Sequence, residues 1–127
     1  MKQKIETPEA PSAIGPYSQA IKVGDSIFLS GQIPLDPATM KLVEGEENQI
    51  RRVFDNIQAV CKAADCSLND IVKLNVSLKD LSIFGKVNEI MLDYFEEPYP
   101  ARAALQVARL PLDSLIEVEA IIIKEKD

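Results

Sequence analysis

Two apolar segments near the end of the chain constrain its fold most. Ala101 to Leu110 and Leu115 to Lys124 read as strands with apolar residues on both faces, and Ile121, Ile122 and Ile123 stand near the end of the second. Strands of that kind need cover on both sides of their sheet. Upstream, Ile71 to Lys79 reads as a strand by alternation. Val72, Leu74, Val76 and Leu78 face one way, and Lys73, Asn75, Ser77 and Lys79 face the other.

Two helices are spaced among the strands. The first spans roughly Glu46 to Ala64, where Ile50, Val53, Phe54, Ile57, Val60, Cys61 and Ala64 form a stripe opposite Arg51, Arg52, Asp55 and Lys62. The second spans roughly Ser82 to Phe95, with Phe84, Val87, Ile90, Met91, Tyr94 and Phe95 on one side. Asp80 or Ser82 can cap its start, and Pro98 and Pro100 end it. Two short strands come first, Ser18 to Val23 and Ser26 to Ser30, with Gly24-Asp25 as the turn. The proline-rich residues 1 to 16 read as an irregular arm, and Gly31 to Lys41 as a loop. Ser67-x-x-Asp70 starts a turn.

The order β-β-α-β-α-β-β predicts one α+β domain over residues 1–127: a two-layer sandwich, with both helices on one face of the sheet. The chain has no second helical layer for the other face. That cover is expected from further copies of the chain.

Composition removes several kinds of chemistry. There is no histidine, so Ser-His-Asp and Cys-His catalysis and histidine-based zinc sites are excluded within the chain. Cys61 and Cys66 lack redox or zinc spacing and fit a reducing compartment. No phosphate-binding glycine motif is present. A net charge of −6 argues against nucleic acid or anionic lipid as partner. The first ten residues are polar, and no apolar run could span a bilayer, which points to a cytoplasmic protein.

Charged residues on apolar strands then stand out. Arg102 shares a face with Ala104, Gln106 and Ala108, and Glu117 shares one with Leu115, Glu119 and Ile121. A charge buried without a partner is costly, so such residues are paired or functional. Two readings stay open: a structural ion pair, with Glu119 as a further partner for Arg102 or Arg109, or a catalytic pair. In the second, the Arg102 fork grips a carboxylate, and a desolvated Glu117 serves as general base to water. Ser30 before Gly31, Tyr17 after Gly15-Pro16, and Asn88 at the edge of its helix stripe could line a cleft. Each alone also reads as an ordinary turn, surface or capping residue.

The segments Ile14-Gly-Pro-Tyr-Ser-Gln19, Ser30-Gly-Gln-Ile-Pro34, Val87-Asn88, Pro100-Ala-Arg102, Val107-Ala-Arg-Leu-Pro111 and Ile116-Glu-Val-Glu-Ala120 together resemble the RidA family, also called YjgF or L-PSP. The resemblance covers essentially the whole chain. It implies a chorismate-mutase-like fold and a homotrimer, with a central barrel of sheets and ligand clefts between subunits. It also implies hydrolysis of enamine and imine intermediates to 2-oxo acids and ammonia, without a cofactor. By position, Arg102 would hold the substrate carboxylate and Glu117 would activate water. Ser30, Gly31, Tyr17, Asn88 and the residue at Ala104 would line the cleft.

One departure is clear. The family's common Ser-Cys-x-Glu after the arginine is Ala103-Ala104-Leu105-Gln106 here, so the usual cleft thiol is missing. Hydrolysis does not require it, because an iminium carbon is already electrophilic. The cleft should be larger and more apolar at Ala104. The alternatives are a non-catalytic binder of 2-oxo acids or amino acids and, against the chain's charge, an endoribonuclease or translation inhibitor.

Overall fold

The computed structural model describes residues 1–125. Its strands are β1 (Gln3–Ile5), β2 (Ala20–Val23), β3 (Ser26–Gln32), β4 (Ile71–Leu78), β5 (Ala101–Gln106) and β6 (Ile116–Ile123), with helices α1 (Glu46–Ala63) and α2 (Phe84–Met91). The strands form one mixed sheet in the order β1-β2-β3-β6-β4-β5. Only β4 and β5 run parallel, and α2 forms the crossover between them. This is the expected α+β arrangement.

The helix stripes and one sheet face make the core. Ile50, Val53, Phe54, Ile57 and Val60 of α1 are fully buried, as are Leu74 and Leu78 of β4 and Ile116, Val118 and Ile122 of β6. Each such side chain stabilises the fold by about 1.5–3 kcal/mol. The far end of α1 closes as a Schellman turn. The Cys66 amide donates to the Cys61 carbonyl at 2.9 Å, the Asp65 amide donates to Lys62 at 3.0 Å, and Asp65 takes the left-handed conformation (φ 58°). Ser67 and Asp70 form a capping box around the next turn.

Several boundaries differ from expectation. The arm is not wholly irregular, because Gln3–Ile5 adds an edge strand to β2, a segment too short to show alternation. The strand β3 runs on through Gly31 to Gln32, and its register against β6 shifts between Leu29 and Gln32. A second shift between Ile71 and Lys73 buries Ile71 and leaves Val72 exposed, so Val72 does not share a face with Leu74. The second helix is shorter than expected. Its start is a 3-10 turn, Leu81–Ile83, capped by Asp80, whose carboxylate accepts from the Ser82 amide at 2.8 Å. Its far end stops at Met91, because Phe95 turns inward onto Phe54 and the Tyr94 hydroxyl donates to Asp55 at 2.8 Å.

The strand β5 also ends early, at Gln106, where its partner β4 runs out. It is not buried: as an edge strand it leaves all but Ala104 exposed. The sheet face away from the helices is open. Phe28, Leu105 and Ile123 lie on it with about half or more of their surface in solvent.

Candidate functional site

The sheet divides the expected site residues into two groups. Arg102 lies level with Leu74, whose side chain is buried under the helices. Pleating therefore points Arg102 to the helix side. There its Nη1 donates to Asn88 Oδ1 at 2.6 Å and to Met91 Sδ at 3.4 Å, and its guanidinium carbon sits 4.6 Å from the centre of the Phe84 ring. Phe84, Asn88 and Met91 follow one another at helical spacing of four and three, so one face of α2 holds the arginine. Phe84 and Met91, which the sequence places only in the core stripe, are in contact with Arg102.

No carboxylate pairs with Arg102 among the described residues. Glu119 instead accepts from Asn75 at 2.9 Å, so it is not the partner of the arginine. Beside Arg102 opens a cavity of about 560 Å³, walled by Asn88, Glu89, Met91, Leu92, Tyr99 and Pro100. Ala104 lies on the same side of β5, level with Val76 and packed against the core.

Glu117 stands on the opposite face. It is level with Ser77 in β4, on the open side of the sheet. Within one chain, therefore, Arg102 and Glu117 do not face each other, and the structural ion pair between them is not formed. The reason is the two-residue period of the strands: one lies in register with a core position and the other with a surface position. The half-buried Glu117 carboxyl is raised above its ordinary value, first by burial and then by the negative charge of Glu119.

Of the second group, Gly31 lies against Glu117. A Cβ on Gly31 would stand 2.9 Å from the Glu117 carboxyl carbon, so only glycine lets that side chain lie flat against β3. Ser30 is next to it, but its hydroxyl hydrogen is already donated to the Ser18 carbonyl at 2.6 Å. It can still accept from a ligand. Tyr17 is about half exposed and folds back on its own turn, its hydroxyl accepting from the Ile14 amide at 3.4 Å. Gly31 and Tyr17 both line a cavity of about 310 Å³.

Buried amides hold these loops. Gln19 donates to the carbonyls of Thr7, Ala10 and Pro11 and accepts from Thr7, which ties the amino-terminal arm to the sheet. Gln49 accepts from the Leu115 amide at 2.8 Å, two residues before Glu117. Gln49 has no mark in the sequence apart from other polar residues, and Gln19 stands only within the segment Ile14–Gln19, because the value of both lies in contacts with distant loops.

Comparison with known proteins agrees with this architecture. The family model described as Endoribonuclease L-PSP matches residues 7–124. A RutC family protein of Pyrococcus horikoshii is 53% identical over 126 residues, covering 98% of this chain and all of that one. The 2-iminobutanoate/2-iminopropanoate deaminase of Mus musculus is 46% identical over 125 residues, covering 98% of this chain and 93% of that one. The crystal structure of RidA from an Antarctic Psychrobacter bacterium superposes with a TM-score of 0.94 at 53% identity, covering 96% of this chain and 99% of that one. The chain belongs to the Endoribonuclease L-PSP family, the family of RidA and YjgF.

Proposed function

We propose that this protein hydrolyses the C=N bond of small 2-imino acids and their enamine tautomers, releasing 2-oxo acids and ammonia. The observation that carries this reading is the state of Arg102. A permanent cation is held in place by Asn88 and Phe84, has no carboxylate partner among the described residues, and borders a cavity. Such a fork is preset for a carboxylate. The name of the mouse relative supports the same substrate class.

The catalytic site is completed between copies, with Arg102, Asn88 and Ala104 from one and Glu117, Gly31, Ser30 and Tyr17 from its neighbour. The opposite placement of Arg102 and Glu117 and the exposed apolar surface at Phe28, Leu105 and Ile123 support this, and a homotrimer is the assembly we propose. Arg102 seats the carboxylate. Glu117 takes a proton from water as the oxygen attacks the carbon of the protonated imine and the C=N π electrons move to nitrogen. The resulting carbinolamine collapses when Glu117 returns the proton to nitrogen: the C–N bond breaks and ammonia leaves as the C=O forms. The hydroxyl proton passes to the Glu117 carboxylate and then to the departing ammonia, which is released as ammonium. The imine carbon is electrophilic already, so no cofactor enters the scheme.

The direct test follows 2-oxobutanoate formation from 2-iminobutanoate generated in solution. The protein should accelerate that step; a time course identical with and without it would sink the reading. The pH dependence offers a second check. The charge of Glu119 opposes ionisation of Glu117, so Glu119→Gln should lower the Glu117 pKa. Because the base is active when ionised, the acid limb of the pH–rate profile should move to lower pH in that variant.

A further inference from the structure

Four amide side chains are buried in the described residues, Gln19, Gln32, Gln49 and Asn56, and three of them are fully engaged. Gln19 bonds the arm, Gln49 joins the Val43 carbonyl to the Leu115 amide, and Asn56 joins the Ile33 and Leu35 carbonyls to Arg52. Gln32 is the exception. It is 6% exposed, yet its amide makes no hydrogen bond to the described residues, and it lines the 310 Å³ cavity next to Gly31. Among the described residues Ser114 Oγ is the buried side-chain polar atom without a partner, so the Gln32 amide keeps contact with solvent water in that cavity. A ligand group that displaces this water must reproduce its hydrogen bonds.

The rest of that cavity is mostly apolar, with Ile14, Tyr17, Ile33, Met40 and Leu112 among its walls. Leu112 adopts the left-handed conformation (φ 55°), rarely taken by a branched side chain, and is 65% exposed. Its loop is fixed on both sides: the Ser114 amide donates to Pro111 at 3.1 Å, and Lys79 pairs with Asp113 at 2.7 Å. An apolar residue is thus held out at the rim of an apolar chamber that contains one unspent amide. Gly31 lines this chamber and lies against the Glu117 carboxyl.

We propose that this chamber receives the side chain of the imino acid and that Gln32 recognises an uncharged hydrogen-bonding group at its tip, a hydroxyl or a carboxamide. An amide offers both a donor and an acceptor, which matches either group. An apolar tip of the same size leaves Gln32 unpaired and is disfavoured. The inference rests on the imine-hydrolase reading for the position of the reacting carbon, but recognition itself can be measured without turnover.

The experiment compares two acids of nearly equal size, 4-hydroxy-2-oxobutanoate and 2-oxopentanoate, which end in a hydroxyl and a methyl. Calorimetric titration gives their affinities, and the corresponding imines give kcat/KM. The parent should favour the hydroxyl-ended acid by about tenfold. Gln32→Leu, which removes no intramolecular hydrogen bond, should abolish or invert that preference and leave 2-oxopropanoate binding unchanged. Ile14→Trp, at an exposed position on the rim, should weaken both longer acids relative to 2-oxopropanoate. A parent without the preference, or a preference retained in Gln32→Leu, overturns the proposal. If no imine is hydrolysed faster while the binding preference and its loss in Gln32→Leu hold, the catalytic reading falls and the chamber's selectivity stands.

Discussion

Arg102→Ala is expected to lower kcat/KM for imine hydrolysis by two to three orders of magnitude without unfolding the chain. Hydrogen bonds to a charged group are worth about 1.5–3 kcal/mol each, and the guanidinium fork can make two to one carboxylate. The side chain is exposed on an edge strand, and its intramolecular contacts are with Asn88, Met91 and Phe84 at the edge of the core. Thermal unfolding should therefore shift little. Both kcat and KM should suffer, because the same anchor binds the substrate and orients it. Arg102→Lys should recover only a small part, since an ammonium keeps the charge but loses the planar fork. A variant as active as its parent would leave the carboxylate clamp without support.

Glu117→Gln should be comparably inactive while retaining affinity for 2-oxo acids, and mixing it with Arg102→Ala should restore activity that neither has alone. In one chain the two side chains lie on opposite faces of the sheet, in register with Leu74 and Ser77. A site built between copies needs a sound Arg102 from one and a sound Glu117 from its neighbour. After unfolding and joint refolding in equal amounts, roughly a quarter of the interfaces of a cyclic assembly would hold that combination. Activity should reappear on co-refolding and be absent when the folded variants are simply combined and assayed before exchange. No recovery under co-refolding would mean that the two residues do not serve one site.

The candidate site was only partly legible in the sequence. Arg102 and Glu117 stand out as charges on apolar strands, and Asn88 sits at the edge of an apolar stripe. The structure brings Asn88 to Arg102 at 2.6 Å and lays Glu117 against Gly31. Alternation along each strand gives the residues that share its face, but not which face of one strand matches which face of another. That depends on pairing, and the bulges at Leu29–Gln32 and Ile71–Lys73 reset the alternation without a sequence mark. Gln32, buried and unspent, follows from such a reset. Ser30 reads as a free hydroxyl in the sequence, while its bond to Ser18 depends on β3 lying beside the end of the arm.

From the sequence alone come the two helices, the main strands, the α+β class and the residues able to grip an anion or move a proton, because these follow from local periodicity and side-chain chemistry. Only the tertiary structure decided that the arginine and the glutamate occupy opposite sides of one sheet. Strand order, register and bulges are set by contacts between distant segments, and local periodicity carries no record of them.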